Sequence, residues 1–225
     1  MRTELVIVAS AERSPRIISS GGLSGRLTGP DTVHMIGTAA TPLGGDEMRI
    51  RVEVGKGASL AVHSVAATLA LPSAATTESH SWWSFHVEDG GRLLFDPEPM
   101  IVAADARHHS RTDVRFSDSG AIHIRERIQI GRAGERAGSW YSTVFSDVDC
   151  GEGRVRPHLR HRVELGVGTS GHDVISAPMA MSSTIRFPDE RSAEAGRSWV
   201  RMPLAAGGSL STATGSRIDT LALPT

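Results

Sequence analysis

Between Glu47 and Val62 apolar and polar residues alternate with a period of two. Met48, Ile50, Val52 and Val54 point one way, and Glu47, Arg49, Arg51 and Glu53 the other. After Gly55-Lys56-Gly57 the alternation resumes with Ala58, Leu60 and Val62. That period marks a strand buried on one face. Two such runs joined by a short glycine-rich break are expected to pair as a β-hairpin. Gly44-Gly45-Asp46, just before the first run, supplies a tight turn, because glycine reaches backbone conformations that a side chain forbids.

Comparable runs recur along the chain at Leu5–Ala9, Val33–Ala39, Glu47–Val54, Ser59–Val65, Arg92–Phe95 and Met100–Ala103, then at Asp113–Phe116, Ala121–Ile130, Trp140–Asp147, Arg162–Val167 and Thr184–Phe187. The clearest is Ala121–Ile130. There Ile122, Ile124, Ile128 and Ile130 share a face interrupted only by Glu126, while His123, Arg125, Arg127 and Gln129 take the other. Clusters such as Asp89-Gly90-Gly91, Ser117-Asp118-Ser119-Gly120 and Gly151-Glu152-Gly153 read as turns between strands. Helical periodicity is weak, and the best helix candidate is Ser192–Met202. The pattern predicts an all-β protein with many strands, in two packed layers or a coil-like stack of sheets, and at most one or two short helices. No exact repeat of fixed period and no interdomain linker stand out, so residues 1–225 read as a single domain. The Gly-, Ser-, Thr- and Ala-rich tail from Ala205 is expected to be poorly ordered.

Composition narrows the function classes. The chain has 225 residues, enough for a substantial core. Its formal charge of −1 argues against a nucleic-acid partner held mainly through phosphates. Cys150 is the single cysteine, which rules out an internal disulfide. The apolar run Leu5–Ala9 is too short for a signal-peptide core, and no stretch reaches transmembrane length, so a soluble, cytoplasmic protein without a membrane partner is expected. Lys56 is the only lysine, and Ile50 stands where the first glycine of a GxxxxGK[ST] phosphate loop would precede Gly55-Lys56.

Several short motifs have a plain structural reading beside a chemical one. Gly44-Gly45-Asp46-Glu47 is close to the GGDEF signature of diguanylate cyclases, but Met48 replaces the phenylalanine and the flanks read as strands. Gly166-x-Gly168-x-x-Gly171, with Asp189 further on, has the spacing of a dinucleotide-binding loop. The segment after it, with β-branched residues and Pro178, does not open a helix, so a turn between strands is the simpler reading. Of the ten histidines, His108 and His109 are adjacent and on a strand point to opposite faces. His158 and His161 lie near Pro157 and several arginines, which suggests a loop; Asp147, Asp149 and Cys150 could add ligands. None has the spacing of a closed zinc site. There is no GxSxG elbow and no HExxH, so nucleophilic and zinc-hydrolase chemistry find no support.

Four blocks, in order, resemble one family. They are "GTAATPLGGDEMRIRVEVGKGASLAV", "VAATLAL", "GGRLLFDPEPMIVAADA" and "IQIGRAGERAGSW". Together they are similar to the urease accessory protein family UreD, also called UreH, well over Gly37 to Trp140 and loosely elsewhere. The sequence departs from the family at Ser64-Val65-Ala66-Ala67-Thr68-Leu69, where relatives often carry Thr-Gln-Ala-Ala-Thr-Lys, and at Arg136, where an aromatic is common.

The resemblance implies an all-β, non-catalytic scaffold that binds apo-urease and a UreF-like helical accessory protein. Through the latter it would meet a UreG-like GTPase that carries nickel; the assembled complex could pair as a homodimer. It implies no tightly bound cofactor, only nickel in transit along a water-filled internal path. Such a path needs water, carbonyls and a few carboxylates or imidazoles, because a divalent ion cannot cross an apolar core. Asp46, Glu98, Glu126 and Glu135 are the candidate residues for it, with Gly44, Gly45, Pro97, Gly131 and Arg132 as the structural motif around them. Glu126 stands out because a charge on an apolar face needs a partner or water; its plain reading is an edge or ion-paired residue. Two alternatives stay open: a β-rich nucleotide-handling enzyme using the Gly44–Glu47 turn or an unrecognised hydrolase, and a plain β-scaffold adaptor with no ion path.

Overall fold

The computed structural model describes residues 1–132, 134–135, 137–166, 168 and 179–221. Among them, strands follow one another almost without interruption. They are β1 (Arg2–Ser10), β2 (Arg13–Ser20), β3 (Leu23–Leu27), β4 (Thr32–Gly37), β5 (Glu47–Val54), β6 (Ser59–Ser64), β7 (Thr68–Ala70), β8 (Glu78–Val87) and β9 (Arg92–Phe95). After these come β10 (Met100–Val102), β11 (Arg107–Ser117), β12 (Ala121–Ile130), β13 (Ser139–Asp149), β14 (Val155–Gly166), β15 (Ala180–Phe187), β16 (Glu194–Ala195), β17 (Trp199–Pro203) and β18 (Ser209–Gly215). One short 3-10 turn, Ile218–Thr220, follows. The all-β, stacked-sheet expectation holds.

The strands form two sheets. One runs in the order β14-β13-β11-β8-β5-β1-β2, the other β16-β17-β18-β15-β12-β9-β6-β4-β3, with β10 and β7 continuing beside β12. In the first, β5, β8, β11 and β13 are parallel neighbours. In the second, β4, β6, β9 and β12 are parallel neighbours. The chain therefore coils, laying one strand in each sheet per turn, and the sheets face each other across the core.

This coil corrects the hairpin expectation. β5 and β6 do not pair with each other; the Gly55–Ala58 break carries the chain from one sheet to the other. The later turns at Glu88–Gly91 and Asp118–Gly120 make the same crossing and stack upon it. Gly57 N–H donates to Asp89 O at 2.9 Å, Arg92 N–H to Ala58 O at 2.8 Å and Ala121 N–H to Gly91 O at 2.8 Å. Parallel neighbours cannot be joined by a tight turn, so crossing the core is what lets short connections serve a parallel sheet.

Two further expectations fail, the helix at Ser192–Met202 and the loop at His158 and His161. Ser192–Met202 is no helix: β16 and β17 form a small antiparallel pair across Gly196. A side chain at Gly196 would come within 2.2 Å of Trp199 Nε1. The tail from Ala205 supplies β18, which lies between β15 and β17 with Ser209, Leu210, Ser211 and Ala213 buried. His158 and His161, expected in a loop, lie on β14.

The inward faces build two hydrophobic clusters rather than one. Ile122 and Ile124 of β12 join the larger, with Val114, Phe116, Val144, Leu159 and Ile185. Ile128 and Ile130 join the smaller, with Met100, Val102, Trp140, Leu165 and Met181. Between the two levels the inward positions are polar on several strands. Glu126 is in register with Ser183. Across the core, Ser81, Ser110 and Ser142 are in register with one another.

Candidate functional site

The Gly44-Gly45-Asp46 bend is a structural tie. A Cβ on Gly44 would lie 1.8 Å from Thr76 O, and Gly45 has a φ of 90°, so neither position accepts an ordinary side chain without strain. Gly44 N–H donates to Leu71 O at 2.9 Å and Asp46 N–H to Leu43 O at 2.9 Å. Asp46 is buried, with its side chain 6 % exposed. It accepts from Leu43 N–H at 2.9 Å and the Thr41 hydroxyl at 2.9 Å, and it pairs with the Met1 amino group. Burial opposes its ionisation, but these donors outweigh burial and hold its pKa below the usual carboxylate range. With its oxygens so engaged, Asp46 has little left to offer the metal ions of a nucleotide.

The polar gap between the two hydrophobic clusters encloses a cavity offering about 80 Å³ to water centres. On that measure one water needs roughly 10–15 Å³, so several fit. Its lining includes Glu126, Glu98, Thr112, His161, Ser183 and Trp140, with Trp83, Phe85 and Phe95 as apolar wall. Glu126 lies deep between the sheets, yet it keeps some solvent-accessible surface because it borders this cavity. Its only hydrogen-bond partner among the described residues is the Ser142 hydroxyl, which donates to Oε2 at 3.5 Å, the outer limit for such a bond. The flanking arginines are not its counterions. Arg125 and Arg127 also border the cavity, but both are engaged by Asp96, at 3.4 Å and 3.2 Å. Burial therefore pushes the Glu126 carboxyl up to about 7, with Ser142 only partly opposing it. Burial also lowers the pKa of His161 across the cavity. Trp140 Nε1, beside the cavity, and Ser110 Oγ are buried without a hydrogen-bond partner among the described residues.

Of the four carboxylates singled out by sequence, the fold brings Glu98 and Glu126 to this cavity; Asp46 and Glu135 do not border it. Glu135 pairs with Arg132 beyond the end of β12, and that hydrogen bond lowers its pKa. Gly131 turns the chain there with a φ of 75° and donates to Val102 O at 2.7 Å. Pro97 presents its carbonyl to Arg127 at 2.6 Å. Sequence reasoning missed Thr112, Ser142 and Ser183, and weighed His161 only as a loop residue beside His158. The available signal was the one that exposed Glu126: polar residues at inward positions of strands whose other inward positions are apolar.

The remaining motifs resolve into scaffold. His108 and His109 do face opposite ways. His108 is fully buried, held by Ser79 at 2.8 Å and Ser81 at 2.9 Å and stacked on Trp140. Burial drives its pKa down to about 3, so it is a neutral structural group. His158 bonds Ser146 at 2.9 Å and Gly207 O at 3.0 Å. Gly166 ends β14, whereas Gly171 lies outside the described residues. No three His, Cys, Asp or Glu side chains converge among the described residues.

Comparison with known proteins then decides the family. The chain matches the family described as UreD urease accessory protein over residues 25–183, a span that includes the stacked crossings and Glu126. The chain belongs to the UreD urease accessory protein family. Urease accessory protein UreD 1 of Saccharopolyspora erythraea is 33 % identical over 200 residues, covering 87 % of this chain and 76 % of that protein. UreD of a Parafrankia species is 34 % identical over 225 aligned positions, covering 90 % of this chain and 74 % of that protein. UreD of Frankia alni is 44 % identical over 117 residues, 52 % of this chain but only 39 % of that protein. No helix among the described residues of this UreD-family chain is long and apolar enough to cross a membrane.

Proposed function

We propose that this UreD-family chain is a non-catalytic maturation factor that passes nickel to apo-urease through its interior, in a complex with UreF-like and UreG-like partners. The observation that supports this reading is the cavity at Glu126, which has room for several waters. A divalent cation crosses a protein only where water and oxygen or nitrogen donors replace its hydration shell. The gap between the two hydrophobic clusters offers a carboxyl, an imidazole and several hydroxyls between two apolar levels of the core. Because Glu126 has no cationic partner among the described residues, its negative charge is available to a passing cation. With two carboxylates, one imidazole and two arginines already engaged by Asp96 as its titratable lining groups, the site suits transit more than storage, which needs a closed ligand set.

Co-expression of urease with UreF-like and UreG-like proteins, with and without this chain, tests the reading. Urease should acquire its full nickel only when the chain is present. Full nickel content in its absence would remove the proposal. The nucleotide-handling alternative loses its main support, because the Gly44–Glu47 bend is committed to the scaffold. An adaptor without an ion path is separated from the present reading by the cavity variants described below.

A further inference from the structure

A pair of histidines lies outside the cavity, on the opposite face of the eleven-stranded sheet. His34 of β4 and His63 of β6 are in register on neighbouring parallel strands, with ring centroids 5.3 Å apart and planes inclined by 34°. We propose that this pair is a surface site for a late first-row divalent cation, which it binds through the two Nε2 atoms with water completing the shell.

The hydrogen bonds around the rings carry the proposal. His63 Nδ1 lies 3.1 Å from the backbone carbonyl of Asp96. A carbonyl oxygen only accepts, so the neutral His63 ring bears its proton on Nδ1 and leaves a bare lone pair on Nε2. His34 Nδ1 is 2.7 Å from the Thr28 hydroxyl, which can accept in the same way. Neither Nε2 has a partner among the described residues, and neither is a buried orphan. Fixing one ring nitrogen by hydrogen bonding and presenting the other is the usual arrangement of metal-bound histidine. The spacing also fits. With metal–nitrogen bonds of about 2.0–2.1 Å, two ligands of one ion have ring centroids roughly 4.6 Å apart at a right angle and roughly 5.3 Å at a tetrahedral angle. Imidazole donors select late first-row ions over calcium or magnesium.

The other in-register pair is a useful contrast. His80 and His109 are 4.9 Å apart, but at 18° they lie nearly face to face within a stack running from Trp82 to Tyr141. A metal lies in the plane of each ring it binds, so parallel stacked rings cannot share one. No hydrogen bond fixes either ring among the described residues.

Calorimetric titration of the full chain with Ni2+ tests the site, with the fold of each variant checked by circular dichroism. One site should be weakened about ten-fold or more by His34→Ala or His63→Ala, and measurably by Thr28→Val. It should survive His80→Ala and Glu126→Gln, which separates it from the cavity. Nitrogen NMR should show the Nδ1-protonated tautomer of His63 and a metal-induced change at Nε2. Absence of Ni2+ binding by the native chain at millimolar metal would overturn the proposal. So would binding that His34→Ala and His63→Ala leave unchanged, or that is lost only with His80 or Glu126.

Discussion

Glu126 changes charge near neutral pH. Its pKa rises from 4.5 to about 7 in the folded protein, so the folded state holds the proton more tightly than the unfolded chain. The resulting stabilisation is fully present below pH 4.5 and is lost as pH rises through 7. Allowing for water in the cavity, the loss amounts to roughly 1–3 kcal/mol. Glu126→Gln, a mimic of the protonated acid, should melt like the native protein at pH 5 and above it at pH 8.5. A difference in Tm that is the same at both pH values would contradict the account. His108 works in the opposite sense. Its pKa falls from 6.5 to about 3, so its contribution is intact above pH 6.5 and is lost as pH falls toward 3, by up to ~5 kcal/mol. His108→Phe should flatten the acid limb of the stability curve, at a cost of about 1–3 kcal/mol for each serine left unpaired. An acid limb identical to the native one would show that His108 does not titrate with unfolding. At this scale the sequence was partly legible. Glu126 announced itself by breaking an isoleucine face. Thr112 and Ser183 did not, because a small hydroxyl residue on a strand is equally common on a wet surface.

Individual strands were readable where their inward positions are apolar, as in β5, β9 and β12, whose limits match the alternation residue for residue. β8 went unread because its first inward residues are Ser79 and Ser81, and the half that lines the polar gap shows no hydrophobic period. The hairpin expectation for β5 and β6 failed for a different reason. Alternation reports which face is buried, not which strand is the partner, and a crossing between facing sheets leaves the same trace as a tight reversal. Ser192–Met202 misled because its Ala, Glu and Arg residues favour helix, while the pairing with β18 that recruits β17 lies further along the chain. The glycines give this scale its prediction. Gly44→Ala forces a methyl group to within 1.8 Å of a backbone oxygen, so chemical denaturation should show a loss of at least ~2 kcal/mol. Gly57→Ala, where φ is 63° but nothing lies within 4 Å, should cost only about 1 kcal/mol. Equal losses would mean that close packing of the bend contributes nothing.

Across the whole molecule, the coil of parallel strands brings together residues far apart in sequence. Thr112, Glu126, His161 and Ser183 meet at one level because each of their strands adds one inward position there, and Glu98 reaches the cavity from the exposed connection between β9 and β10. On the proposed reading, a double sheet with a polar level through its core spares a passing cation the global rearrangement that a continuous hydrophobic core would require. The direct test is the nickel content of urease matured with cavity variants of this chain, Glu126→Ala and the plugging change Ser183→Trp, with co-purification confirming that the maturation complex still assembles. The account predicts an intact complex that delivers several-fold less nickel with either variant. Urease that fills to the native level beside a plugged cavity would contradict it.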